Sequence, residues 1–158
     1  MPQQITIRRA DERDATAVLD CLHAAFEPYR KHYSPEGFAD TTLTEATIGH
    51  RLATFCVFVA EANGQIAGTI ACNVNPNGDG HLRGMAVLAA WQGRGVADAL
   101  LHAAEDQLKK DGCKRITLDT TAPLERAIRF YEKHGYRGSG VVGDFYGMPL
   151  YEYVKEQF

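Results

Sequence analysis

The sequence has no Cys-x-x-Cys pair, no His-Glu-x-x-His run and no block of lysine and arginine. The first two absences leave a zinc site and a thiol–disulfide redox motif without support, so no metal is expected. The third, with a net charge of −3, disfavours nucleic-acid binding through a basic face. No apolar run approaches the length of a bilayer span, and Met1 to Arg8 lacks the apolar stretch of a secretory signal. The expectations are no nucleic-acid partner, no membrane and a cytoplasmic location. Internal repeats and low-complexity linkers are missing too. Nothing therefore divides residues 1–158, and that length suffices for one domain with a real core. The four cysteines, Cys21, Cys56, Cys72 and Cys113, are scattered and read as buried reduced thiols. Spacing alone leaves Cys72 and Cys113 open as pocket residues.

What is present is a clear alternation of periods. Gln4 to Arg8 alternates polar and apolar as a half-buried strand does. Asp11 to Phe26 carries Val18, Leu19, Leu22, Ala25 and Phe26 at helical spacing behind an acidic first turn. Tyr29 to Gly49 is irregular and reads as a loop with one short helix. Phe55 to Ala60 and Gln65 to Cys72 flank Asn63-Gly64, a strong hairpin signal. His81 to Val87 is a fourth strand, and Gly84 within it suggests a bulge. Val96, Leu100, Leu101, Ala104 and Leu108 make a helix face that stops at Gly112. Arg115 to Thr120 is a fifth strand and Pro123 to His134 a helix closed by Gly135. Val141 to Tyr153 reads as two strand-like runs around a Gly143-Asp144 turn. The order is β-α-α-β-β-β-α-β-α-β-β. Hairpin-joined strands pair antiparallel, whereas the helix between residues 87 and 115 makes strands four and five parallel. The fold class is α/β (α+β), a mixed sheet with helices on both faces.

One stretch stands out for chemistry, Ala90-Trp91-Gln92-Gly93-Arg94-Gly95-Val96-Ala97-Asp98. It sets two glycines one residue apart just before a helix. No Lys-Ser/Thr follows, which removes a Walker A loop, and Asp98 stands where a dinucleotide fingerprint needs its third glycine. What survives is a turn whose backbone N–H groups, with the helix dipole and Arg94, suit a pyrophosphate held without metal. A bare Gly-x-Gly equally fits a tight strand-to-helix connection. Trp91 reads as packing rather than as a stacking platform.

Gln92 to Ala97 resembles the acyl-CoA motif of the GCN5-related N-acetyltransferases (GNAT): Gln or Arg, any two residues, Gly, any residue, Gly or Ala. Leu82 to Val87 resembles the fourth strand of that family. Ala127-Ile128-Arg129-Phe130-Tyr131-Glu132-Lys133-His134-Gly135-Tyr136 resembles its A-I-x-F-Y-E-K-x-G-F signature. With the element order, the resemblance covers nearly the whole chain. It implies the GNAT fold, its central sheet splayed between the fourth and fifth strands, and acetyl-CoA as co-substrate. It implies that Met85, Ala86 and Val87 pair with the pantetheine arm, and that amides within Gln92, Gly93, Arg94, Gly95, Val96, Ala97 and Asp98 hold the pyrophosphate. The implied activity is acetyl transfer to a primary amine of a small molecule or peptide, by direct attack in a ternary complex. The alternative is an acyl-CoA-binding sensor that catalyses nothing. The architecture leaves a homodimer open.

An amine must lose a proton before it attacks a thioester, and the leaving thiolate must gain one. Tyr131 matches the family tyrosine placed near the CoA sulfur and is the candidate general acid. Its helical face, shared with Leu124, Ala127 and Ile128, also fits a core residue. Two side chains compete as general base, with a relay of ordered water as the alternative to both. Asp119 lies twelve positions before Tyr131, a spacing used by some members that acetylate protein N-termini. His81 lies six before Val87, where histone-acetylating members carry a Glu, and its imidazole has a fitting unperturbed pKa. Leu124 departs from the family, which usually has Asn there against the pantetheine arm. For the acceptor, Tyr29, His32, Tyr33 and Tyr146, with Glu36, Phe38, Asp40 and Tyr151 nearby in sequence, offer aromatic and acidic groups suited to a cation.

Overall fold

The structure, a computed structural model, describes residues 4–156. The strands are β1 Ile5–Arg9, β2 Cys56–Ala62, β3 Gln65–Val74, β4 Gly80–Val87, β5 Arg115–Thr120, β6 Arg137–Phe145 and β7 Met148–Glu156. The helices are α1 Ala15–Phe26, α2 Pro35–Thr42, α3 Ile48–Thr54, α4 Val96–Lys110 and α5 Glu125–Lys133. The strands make one sheet in the order β1-β2-β3-β4-β5-β7-β6. All neighbours are antiparallel except β4 and β5, as the sequence order requires.

Helices cover both faces. Val96, Leu100, Leu101, Ala104 and Leu108 of α4 pack against Ile70, Leu82, Ile116 and Leu118. Val18, Leu19 and Leu22 of α1 pack against Val59 and Ala86. Val59 and Ala60 are consecutive, and each joins a different cluster, because successive strand side chains point to opposite faces. Each large apolar side chain buried this way contributes about 2 kcal/mol.

The start of α1 is anchored by charge. The Asp14 carboxylate accepts the Asp11 N–H at 2.9 Å and closes the capping box of the 3-10 turn Glu12–Asp14 that leads into α1. Arg8 of β1 grips Asp14 through two N–H groups at 2.8 and 2.9 Å and Glu61 of β2 through a third at 2.8 Å. The arginine hydrogen bonds outweigh burial and hold the Asp14 carboxyl down at about 2.

Two expectations need correction. Residues 29–49 hold more than a loop with one helix: beside the expected short helix, α2, they take in most of a 3-10 turn at Glu27–His32 and the start of α3 at Ile48, with residues 43–47 irregular. The last hairpin does not turn at Gly143-Asp144, which lie inside β6. It turns at Tyr146-Gly147, where both residues have positive φ, 50° and 90°. That is the geometry of a tight type I′ connection, which matches the twist of the flanking strands. Tyrosine is a poor residue for it, so composition hides the turn.

The sheet opens where the chemistry is expected. Parallel pairing of β4 with β5 covers only Gly80–Leu82 against Ile116–Leu118. Beyond Leu82 the β5-facing edge of β4 has no strand partner. On its other edge, Gly84 and Met85 together face the single residue Ile70 of β3. This is the bulge that Gly84 announces, and its φ of +61° is one glycine adopts at little cost.

Candidate active site

A cleft of about 850 Å³ occupies the gap between β4 and β5. Of the expected cofactor-binding residues, Met85, Ala86, Val87, Gln92, Gly93, Gly95, Val96, Ala97, Asp98 and Tyr131 line it, whereas Arg94 does not. The glycine turn forms its end. Gly93 and Gly95 have φ of +76° and +83°, and a Cβ at either would meet nothing within 4 Å. Gly95 is the N-cap of α4, and it brings no side chain to cap the first turn. The backbone N–H groups from Gly93 to Asp98 find no acceptor among the described residues. Uncapped amides at the positive end of a 15-residue helix suit a pyrophosphate. Gln92 fixes the turn to both walls: its Nε2 donates to the Val87 carbonyl at 3.2 Å, and its Oε1 accepts from Arg126 of α5 at 2.6 Å. The Arg94 guanidinium lies 5.2 Å from the Trp91 ring, which packs against the core. The Asp98 carboxylate lies 2.7 Å from His134 Nε2 and so ties α4 to α5.

At the fork, the two competing bases are neighbours. His81 Nε2 lies 3.8 Å from Asp119 Oδ2. His81 Nδ1 lies 2.8 Å from Thr117 Oγ1, whose hydroxyl reaches the Gly80 carbonyl at 3.4 Å. In the tautomer whose Nδ1–H donates to Thr117 Oγ1, Nε2 is the proton-accepting nitrogen. Burial lowers the His81 pKa, and Asp119 opposes the shift. Burial raises the Asp119 pKa, and His81 opposes that. Each group offsets part of the other's desolvation.

Tyr131 is both core and cleft. Its ring packs edge-on against Phe130 and Tyr136 at 5.4 and 5.5 Å. It also lines the cleft, and its hydroxyl has no hydrogen-bond partner among the described residues. Burial pushes its pKa well above the usual phenol value, which keeps the proton on the oxygen. Leu124 lines the same wall as an apolar neighbour.

The acceptor end partly matches the sequence reading. Tyr29, Tyr33, Tyr146 and Asp40 line the cleft, whereas His32, Glu36 and Tyr151 do not, and Phe38 is buried behind it. Tyr33 Oη is 3.0 Å from Thr121 Oγ1, and its ring meets Phe145 edge-on. Cys72 and Cys113 are buried away from the cleft. Two cations escaped the sequence reading, Arg83 and Arg51. Arg83 donates to Asp40 at 3.1 Å. Arg51 lies on the short helix α3, which packs against β2 and α1 and sends the guanidinium toward Gly84 of β4, a placement no local pattern announces.

Comparison with known proteins agrees with this fold. The profile of the Acetyltransferase (GNAT) family matches residues 18–136. An 83-residue stretch, half of this chain, is 32% identical to N-alpha-acetyltransferase 30 of Schizosaccharomyces pombe and spans 55% of that protein. Among solved structures, the PaiA N-acetyltransferase of Thermoplasma acidophilum, in complex with coenzyme A, superposes with a TM-score of 0.79 at 20% identity, covering 97% of this chain and 99% of that one. A GCN5-related N-acetyltransferase of Rhodopseudomonas palustris gives 0.80 at 22% identity, covering 99% and 98%. The ribosomal-protein-S18-alanine N-acetyltransferase of Escherichia coli gives 0.69 at 22%, covering 98% and 94%. These likenesses extend the fold over the whole described chain, and the matched profile takes in the glycine turn, the His81–Asp119 pair and Tyr131. The chain belongs to the GNAT family of acetyltransferases.

Proposed function

We propose that this chain moves an acetyl group from acetyl-CoA to a primary amine by direct attack in a ternary complex. One observation carries the reading: a turn of uncapped amides and a proton-accepting imidazole open onto the same cleft, across an unpaired strand edge. When bound, acetyl-CoA supplies an activated acyl carbon and a thiolate leaving group. The chain's residues do the rest. Amides of Gly93 to Asp98 hold the pyrophosphate, with Gln92 bracing the turn. The free edge of β4 over Met85, Ala86 and Val87 pairs with the pantetheine arm as an added strand would. Leu124 gives that arm an apolar contact in place of the polar one usual in the family.

His81 Nε2 takes the amine proton, through a water where the amine does not reach it. Asp119 stabilises the imidazolium that forms, so the two residues act as one unit rather than as rivals. The Tyr131 hydroxyl, held protonated, donates to the departing sulfur. Tyr29, Tyr33 and Tyr146 shape the acceptor end. The test is thiol release from acetyl-CoA across a panel of amines, with the acetylated product identified by mass. Release that depends on the amine supports transfer. Tight acetyl-CoA binding with no release from any amine supports a sensor instead.

A further inference from the structure

We propose that Arg51 binds a carboxylate on the acceptor, so that the substrate class is a free amino acid or a closely related amino carboxylate. This rests on the acetyl-transfer reading above and narrows it. Two charged side chains are buried among the described residues, Asp14 and Arg51. Asp14 has the two-pronged grip of Arg8. Arg51 is 7% exposed and has neither an ion pair nor a side-chain hydrogen bond among the described residues. Its flank packs on the Phe55 ring, with Cζ 4.9 Å from the centroid. The nearest acid, Asp40, is engaged by Arg83. Burial and the neighbouring Arg83 weaken the guanidinium's hold on its proton, yet only to about 10, so the charge persists at neutral pH.

A buried cation left without a counter-ion is costly, and proteins normally pair it. Here it lines the cleft. Its position on the reaction path is set by β4: a side chain at Gly84 would start 2.9 Å from Arg51 Nη1, so the bulge glycine keeps that space open. Gly84 directly precedes Met85, where the acyl arm is proposed to begin. In an α-amino acid one carbon separates nitrogen from carboxylate, so a carboxylate on Arg51 keeps the amine beside that arm. Guanidinium and carboxylate match as a planar two-pronged pair, which a point charge cannot reproduce. The opposite charge requirement is met at the same cleft, where the Asp119 carboxylate suits an ammonium. Together they fit a zwitterion better than a simple amine.

The experiment compares α-amino acids of apolar, aromatic, acidic and basic side chain, each with its amide and its decarboxylated amine. The expected result is at least a tenfold higher kcat/KM for the best acid than for its amide, the size of a lost charged hydrogen bond. Arg51→Gln collapses that ratio to near one, and Arg51→Lys retains part of it. A wild-type ratio near one overturns the proposal. Thermal melting guards against misfolding: without ligand, Arg51→Met melts at or above the wild type, because it removes an unpaired buried charge. A markedly lower melting temperature would mean the guanidinium has a partner within the chain and would also overturn the proposal. If no amine turns over, calorimetry on CoA-saturated protein decides separately. Preferential binding of the N-acetyl amino acids over their amides upholds the carboxylate site while transfer fails, and equal or absent binding overturns it.

Discussion

Tyr131 joins two roles in one side chain. Its ring completes the core under α5, and the same burial keeps its proton in place for donation. Replacing Tyr131 with Phe keeps the ring and removes only the oxygen. The expected outcome is a kcat lower by roughly a hundredfold, the usual size of a lost general acid, with acetyl-CoA affinity unchanged by calorimetry. An unchanged kcat assigns the residue to packing alone. His81 and Asp119 make a paired prediction. Protonated His81 cannot accept a proton, so kcat/KM, corrected for the amine's own ionisation, falls on the acid side. Burial depresses the His81 pKa, which puts that limb below the ordinary imidazole value. Asp119 favours the imidazolium, so Asp119→Asn moves the limb to still lower pH and lowers the plateau. His81→Gln removes the limb. A profile that neither substitution moves would rule out both as proton carriers. None of this pairing was readable in the sequence. His81 and Asp119 are 38 positions apart, and only the parallel register of β4 with β5 sets them side by side.

Among the elements, legibility followed period and punctuation. The α4 face was plain because five apolar residues kept helical spacing between a glycine turn and Gly112. The bulge in β4 was plain because a glycine interrupted a strand. The short helix α3 was not. Seven residues give too few turns to display a period, and its burial depends on docking against β2 and α1. Arg51 was hidden with it. The last hairpin was missed because its turn carries Tyr146 rather than a turn-former, while Gly143-Asp144 looks like a turn but lies in a strand. At this scale the Arg8–Asp14 clamp makes a stability prediction. The folded Asp14 carboxyl titrates near 2 against an unfolded value of 3.8. Its stabilisation, about 2 kcal/mol by linkage, is fully present above the unfolded value and is lost as pH falls through the folded one. Urea melts of Asp14→Asn should lie below wild type by about that amount at pH 7 and converge with it near pH 2. Equal stability at pH 7 would mean that the clamp contributes nothing net.

For the whole molecule, the cleft is a consequence of topology. Antiparallel pairing binds β1 to β4 and β5 to β7 as two sets, and only three residue pairs join them through β4 and β5. The sheet therefore opens at its one parallel seam, and helices α4 and α5 meet over the opening through Gln92, Arg126, Asp98 and His134. The turn at the head of α4 faces one end of the gap, and the aromatic and charged residues of α1 to α3 and β6 face the other. Two ligands can thus enter one gap from opposite sides, which is the spatial requirement for direct transfer. No cysteine lines the cleft among the described residues, so transfer through a thioester on the chain has no candidate nucleophile of that type. The most direct test is the initial rate of CoA release measured over a grid of acetyl-CoA and amine concentrations. Direct transfer in a ternary complex predicts double-reciprocal lines that intersect. Parallel lines, with an acetylated form of the protein trapped when the amine is withheld, would contradict it.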